Sequence, residues 1–454
     1  MTKDMTIGNP AKTILFFTLP MLLGNVFQQF YNMVDAIIVG NFVGENALAA
    51  VGSSFPAVFM LVAVAMGLTT GCSVVISQYF GAGKIKETKQ AIFTSLIAIF
   101  LLSLIVTVFG VLVSDYLLKL LNTPENIFIL SSTYLKIYFL GITFLFMYNA
   151  FAATMRALGD SKTPLYFLIL ATILNVVLDY SFVVYLNLGV AGVAWATVIS
   201  QAVSALLCLL YIVKFMPIMS SSKGELVFSY PMFKLMLSYG IPSTIQQLIV
   251  SLGMFFLQRL VNSYGSVVIA GYTAACKIDS FAMMPMMNFS MAISTFVGQN
   301  IGAGNIKRAK QGYHATLVLA VAISAFISLM IFLFGPQIIS LFMDASTSQE
   351  AINIGVGYIK IVSSLYFIMA ILFTTNGVLR GSGDMSVFTI ASAFNLLVRV
   401  VFAYLFSAFF GYQAIWWAIP MGWLAGSIIS LIRYRSGKWQ KKGIFHSEYG
   451  IPPE

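Results

Sequence analysis

Charge is scarce in this chain: only 9% of its 454 residues are Asp, Glu, Lys or Arg. A soluble globular chain carries roughly 25%. The deficit excludes a soluble enzyme, a disordered protein and a nucleic-acid binder, each of which needs a hydrated, charged surface. Histidine is nearly missing, with His314 and His446 the only two. Neither lies in the middle of an apolar run, so no intramembrane zinc or histidine–acid catalytic centre is expected, and the chain is not read as an enzyme. Cysteine is equally sparse. Cys72, Cys208 and Cys276 sit in apolar runs with no CxxC or metal-ligand spacing and read as core thiols. No cofactor is implied. The N-terminus leads into an apolar segment without an A-x-A cleavage pattern, so it reads as a retained first helix.

Hydrophobic residues are abundant, at 59% of the chain, with mean hydropathy +0.92. A spanning helix takes about 20 mostly apolar residues. Apolar runs punctuated by Gly, Pro and charge predict spans near 13–40, 48–78, 91–113, 128–155, 164–185 and 190–215. A polar stretch follows, and then come 234–261, 267–299, 312–334, 351–379, 386–408 and 412–433. The basic residues orient these spans, because Lys/Arg-rich loops resist translocation. With the N-terminus inside, all but six of the 25 lysines and arginines fall in inner segments. The six are Lys119, Lys136, Arg259, Lys277, Lys360 and Arg399. Twelve spans with both termini cytoplasmic follow, and the net charge of +10 needs no polyanionic partner.

The halves repeat. QYFGAGKIKETKQ at 78–90 and QNIGAGNIKRAKQ at 299–311 agree at eight of 13 positions, 221 residues apart. VGNFVG at 39–44 faces LVNSYG at 260–265, TMRALGD at 154–160 faces GVLRGSGD at 377–384, and GVAGVAWA at 189–196 faces GYQAIWWA at 411–418. A six-helix unit returns to its starting side, so the copies are parallel, related by an axis along the membrane normal. The expected fold is an all-α polytopic membrane protein of twelve transmembrane helices in two parallel six-helix repeats. Residues 1–215 form the first lobe, 216–233 a cytoplasmic linker, 234–435 the second lobe and 436–454 a cytoplasmic tail.

Charges inside the hydrocarbon layer cost about 2.5–3.5 kcal/mol on insertion scales, which makes them functional candidates. Three acids lie in apolar runs: Asp35, Asp179 and Asp279. Asn175 precedes Asp179 by one helical turn and shares its face, and Thr197 adds a hydroxyl from the next segment. Carboxylate, amide and hydroxyl oxygens together suit H⁺ or Na⁺. The blander reading is that these acids only bind helices together through polar contacts. The repeat does not copy them: Phe256 faces Asp35, while Arg399 and Ala403 face Asn175 and Asp179. Lys277, Asp279, Met284 and Met287 in the eighth segment are candidates for a substrate cavity, since methionine-rich surfaces suit varied apolar ligands. Pro20, nearly matched by Pro242 in the repeat, is a candidate hinge in the helix that carries Asp35.

The chain resembles the MATE (multidrug and toxic compound extrusion) family. The resemblance runs over essentially its whole length. Its carriers are TLPMLLGNVFQQFYNMVDAIIVG, SQYFGAGK with VGQNIGAGN, MRALGDSKTP, LRGSGD, NVVLDY and GVAGVAWATVISQ. It implies a V-shaped two-lobe transporter exporting organic, often cationic, compounds in exchange for H⁺ or Na⁺. One branch of the family places essential carboxylates in its seventh and tenth helices, where this chain has no acid. The DinF-like branch uses the first, fifth and sixth helices, and Asp35, Asn175, Asp179 and Thr197 resemble its pattern by position. The implied partners are small organic substrates and membrane lipid, with no nucleic acid. The chain is expected to be monomeric in the bacterial inner or plasma membrane. The rival within the superfamily is a lipid-linked oligosaccharide flippase, which often carries extra helices or several cavity arginines. An integral-membrane acyltransferase is disfavoured by the lack of a central histidine, and a channel by the paired lobes.

Overall fold

A computed structural model describes residues 4–216, 218, 227–342 and 349–445. Among the described residues there is no strand. The helices are α1 (Pro10–Ile38), α2 (Glu45–Gly81), α3 (Ile85–Leu120), α4 (Glu125–Ala157), α5 (Lys162–Tyr180), α6 (Gly189–Phe215) and α7 (Tyr230–Asn262). They continue with α8 (Ser266–Gly302), α9 (Ile306–Ser340), α10 (Gln349–Ser363), α11 (Tyr366–Gly381), α12 (Met385–Phe410) and α13 (Gln413–Arg435). Among the described residues eleven are long and apolar enough to cross a membrane, and α10 with α11 passes the same test as a pair bent at a short break. The protein is thus a multi-pass membrane protein whose spans match those expected.

The twelve-span pattern differs from expectation at one place. The run 351–379 reads as a single helix, but it breaks at Ser364–Leu365 with a 51° bend. No proline or glycine lies at the break. Instead the Ser328 hydroxyl on α9 donates to the Ser363 carbonyl at 2.6 Å, and Ser364 turns its own hydroxyl onto Ile361 O. Side-chain hydroxyls compete with the helical ladder there, and such competition leaves no periodic signature in sequence.

The repeat is written in the backbone as well. Four pairs of glycines at repeat positions share left-handed φ angles: Gly44 and Gly265 (109° and 87°), Gly83 and Gly304 (70° and 71°), Gly159 and Gly383 (both 85°), and Gly189 and Gly411 (56° and 59°). Each ends or starts a span, where only a residue without Cβ turns the chain cheaply.

The chain forms two compact units, Met1–Asp4 with Leu19–Thr244, and Met5–Thr18 with Ile245–Glu454. The divisions fall inside α1, just before Pro20, and inside α7, just after Pro242, whereas the sequence suggests 216–233. Most of that stretch, and residues 446–454 of the expected tail, lie outside the described residues. In the first unit α4 is central, packing on α2, α3 and α6. Its Leu135, Phe139, Ile142 and Phe146 are buried with Ile99 and Leu118 of α3. Large apolar side chains such as Ile105, Phe109 and Leu112 point outward instead, as expected where the solvent is lipid. In the second unit Arg308 at the start of α9 donates to the carbonyls of Met5, Ile7 and Gly8 at 3.1, 2.6 and 2.6 Å, pinning the segment that leads into α1.

Also in the second unit, α8 and α11 approach through Gly377 and Gly381, a small-xxx-small pair of the kind that lets backbones touch in membranes. A Cβ on Gly381 would lie 2.2 Å from Ser294 O, and one on Gly377 2.6 Å from Ser290 O. Arg380, between them in sequence, donates to Ser290 O at 2.8 Å across the same seam. Gly381→Ala is therefore expected to cost about 1–3 kcal/mol by overpacking. Gly357→Ala on α10, where a Cβ meets nothing within 4 Å, serves as the control. Thermal unfolding in detergent checks this: equal midpoints for the two variants would refute the close approach.

Candidate cation site in the first unit

Asp160 prepares the helix that carries Asp179. Its carboxylate accepts from Lys162 N at 3.1 Å and Thr163 N at 3.0 Å, and from the Thr163 hydroxyl at 2.6 Å. This caps the N-terminus of α5 and satisfies amides that the helix cannot pair itself. Asp179 stands at the far end of α5, one turn after Asn175, and neither side chain is exposed (0% each). Asp35 stands near the end of α1, and its carboxyl group is a close electrostatic neighbour of Asp179. Thr197 of α6 is buried, and its hydroxyl pairs with the Tyr31 hydroxyl at 3.1 Å. Tyr31 lies one turn before Asp35 on α1. The four residues expected from sequence therefore meet in one place, contributed by α1, α5 and α6.

Two residues that sequence reasoning missed belong to the same neighbourhood. Tyr31 was detectable, since the i, i−4 spacing to Asp35 puts it on the acid's face. Tyr134 of α4 lies close enough to act on both acids electrostatically, and no sequence signal links them.

Immediately beyond both acids the helices change hand-hold. Val39–Val43 and Ser181–Tyr185 are π-helical turns, continuing α1 and α5. Such turns are rare, cost hydrogen-bond geometry and concentrate at functional sites. Val39 and Val183 from these turns are buried together with Ile38, Val190 and Val193. Ile38, Val39 and Val183 of this apolar cluster follow the two acids along the chain within about one turn.

Hydrogen bonding inside the site is incomplete. Asp35 Oδ1, both carboxylate oxygens of Asp179, and both amide atoms of Asn175 are buried without a partner. An unsatisfied buried polar group costs about 1–3 kcal/mol, and more when charged. Two carboxylates are acceptors only and cannot satisfy each other unless a proton or cation sits between them. The donors present are all oxygens on carboxylate, amide and hydroxyl groups. That set fits a proton or a hard monovalent cation, held by Asp35, Asp179 and Asn175 with Thr197 alongside. Among the described residues no group of three or more His, Cys, Asp or Glu could hold a metal ion.

The cavity candidates in α8 part company. Lys277 is exposed, and Met287 is 48% exposed, whereas Asp279 and Met284 are each 8% exposed. Pro20 lies within α1, which continues helically through it.

The family model described as MatE matches residues 20–181 and 242–405. The probable multidrug resistance protein YpnP of Bacillus subtilis (strain 168) is 34% identical over 450 residues, covering 97% of this chain and 98% of that protein. The probable multidrug resistance protein NorM of Thermotoga maritima is 26% identical, covering 96% and 95%. A crystal structure of MATE in complex with MaL6 is similar at TM-score 0.91 and 26% identity, over 97% of this chain and 100% of that one.

Proposed function

The chain belongs to the MATE family of transporters, and on that premise we propose that it is a secondary active exporter exchanging H⁺ or Na⁺ for organic, often cationic, compounds by alternating access. The observation that carries the coupling is the set of unpartnered buried polar atoms on Asp35, Asn175 and Asp179. With both acids ionised, mutual repulsion and desolvation favour a hydrated, looser arrangement of α1 against α5 and α6. A proton or Na⁺ bound between them removes that cost and lets α1 repack, with Pro20 as its bend. Repacking takes room from the substrate. Ion and substrate then favour different states, as exchange requires.

The test is transport of a dye panel by the reconstituted protein under an imposed H⁺ gradient and then an imposed Na⁺ gradient. Accumulation driven by at least one of them is expected. Dye movement indifferent to both gradients would end the proposal.

The chain is read as lying in the bacterial cell membrane with both termini in the cytoplasm, on the strength of its basic inner segments. Tags at the two termini should be reachable only from the cytoplasmic side. A tag at Asn122, in the turn between α3 and α4, should be reachable from outside. External labelling of either terminus would overturn the orientation.

A further inference from the structure

The second unit has a buried carboxylate of its own, and it is handled in the opposite way. Asp279 lies in α8. Tyr366 donates its hydroxyl to Asp279 Oδ1 at 2.6 Å, and Tyr358 donates to Oδ2 at 3.3 Å. Tyr358 belongs to α10. Tyr366 is the first residue of α11, immediately after the break. One side chain thus holds both arms of the bent span. The two tyrosines are each 1% exposed, so water does not compete for these bonds.

Positive charge comes from inside the unit. Arg399 of α12 is near enough to act on the Asp279 carboxylate, as are the hydroxyls of Tyr358 and Tyr366. Its Nε is buried and makes no hydrogen bond. Arg399 stands at the repeat position of Asn175, while Val58 stands at that of Asp279. The first unit therefore places an amide beside acids that lack partners, and the second places a guanidinium beside an acid that has them. Trp416 of α13 closes the cluster, stacked on Tyr272 at 5.4 Å and edge-on to Tyr358 at 5.0 Å.

We propose that Asp279 is a positioning residue for transport, which sets the bend of the α10–α11 span by holding Tyr358 and Tyr366 on either side of the break. Broken helices supply the irregular backbone around which transporters move, and a bistable element needs a discrete contact to select one arrangement. A carboxylate provides it because it has two acceptor oxygens, one for each arm. An asparagine offers one acceptor and one donor group, so it cannot take both hydroxyl protons in the same way.

The experiment uses the full chain in nanodiscs. Spin labels are placed on cysteines at Asn353 of α10 and at Ser386, in the first turn of α12 just past the end of α11, in a background carrying Cys72→Ser, Cys208→Ser and Cys276→Ala. The arms are about 16 and 24 Å long at roughly 1.5 Å per residue. Straightening the 51° bend then lengthens the span by about 4 Å on the same geometry. Asp279→Asn and Tyr366→Phe are each expected to shift the distance distribution toward that longer value. Each should also lower the maximal export rate about tenfold while leaving the half-saturating substrate concentration unchanged. Tyr366→Phe removes a single hydroxyl and decides the matter if Asp279→Asn does not fold. A distance distribution identical to the parent in the folded variants overturns the proposal, and so does full export from a straightened span. The distances are read without substrate or driving ion, so they stand apart from the coupling assigned to Asp35 and Asp179.

Discussion

Asp35→Asn and Asp179→Asn are each expected to reduce ion-driven export to the level of empty vesicles, in a protein that still folds and inserts. The amides keep the size and shape of the acids but remove the charge that a proton or Na⁺ must neutralise. Folding should survive for a specific reason. Asp35 Oδ1 and both oxygens of Asp179 have no hydrogen-bond partner to lose, and an ionised carboxylate without a partner in an apolar interior is a cost. The thermal midpoint is therefore expected to stay level or rise in both variants. That combination separates a coupling role from a helix-binding one. If the acids only tied α1 to α5, the variants would lose stability and keep driven export. Driven export at the parental rate in both would remove the site from the mechanism.

The second large effect concerns linkage. If ion and substrate favour different states, raising one must weaken the other by the same factor. Lowering the pH, or adding Na⁺, is expected to weaken equilibrium substrate binding by about 5–150-fold, the usual range of such couplings. The sign follows from the site. The ionised pair favours the looser arrangement that accommodates substrate, and the neutralised pair favours the repacked one. In Asp35→Asn the repulsion is already absent, so binding should no longer respond to pH or Na⁺. Pro20→Ala should act on rate rather than affinity: it restores a backbone donor to α1 and stiffens the bend. Export should slow by more than binding weakens. Wild-type substrate affinity that is constant across pH and Na⁺ would rule out the linkage.

Much of this molecule was legible in one dimension because lipid imposes simple rules. A chain with so little charge has to be threaded with apolar helices whose backbone groups pair internally. Its basic loops then indicate orientation, and its duplicated motifs give the order of the halves. Asp35 and Asp179 stand out for the same reason, since a carboxylate in an apolar run is costly wherever the fold puts it. The N-x-x-x-D spacing puts Asn175 and Asp179 on one shared helical face.

What sequence could not decide depends on contacts between helices distant along the chain. Nothing in VGNFV or SFVVY distinguishes a π-helical turn from an α-helical one, and Val39 and Val183 from these turns pack into a cluster with Val193 of another helix. At the break at Ser364–Leu365 the hydroxyl of Ser328, on another helix, takes the Ser363 carbonyl. Lys277, Asp279, Met284 and Met287 share a segment, yet burial separates them. Asp279, a cavity candidate by sequence, carries Tyr358 and Tyr366 on its two oxygens. The cost of an intramembrane charge belongs to the residue and can be read from the sequence. Whether that cost is met by an ion from outside or by hydroxyls from within depends on which side chains three-dimensional packing brings alongside.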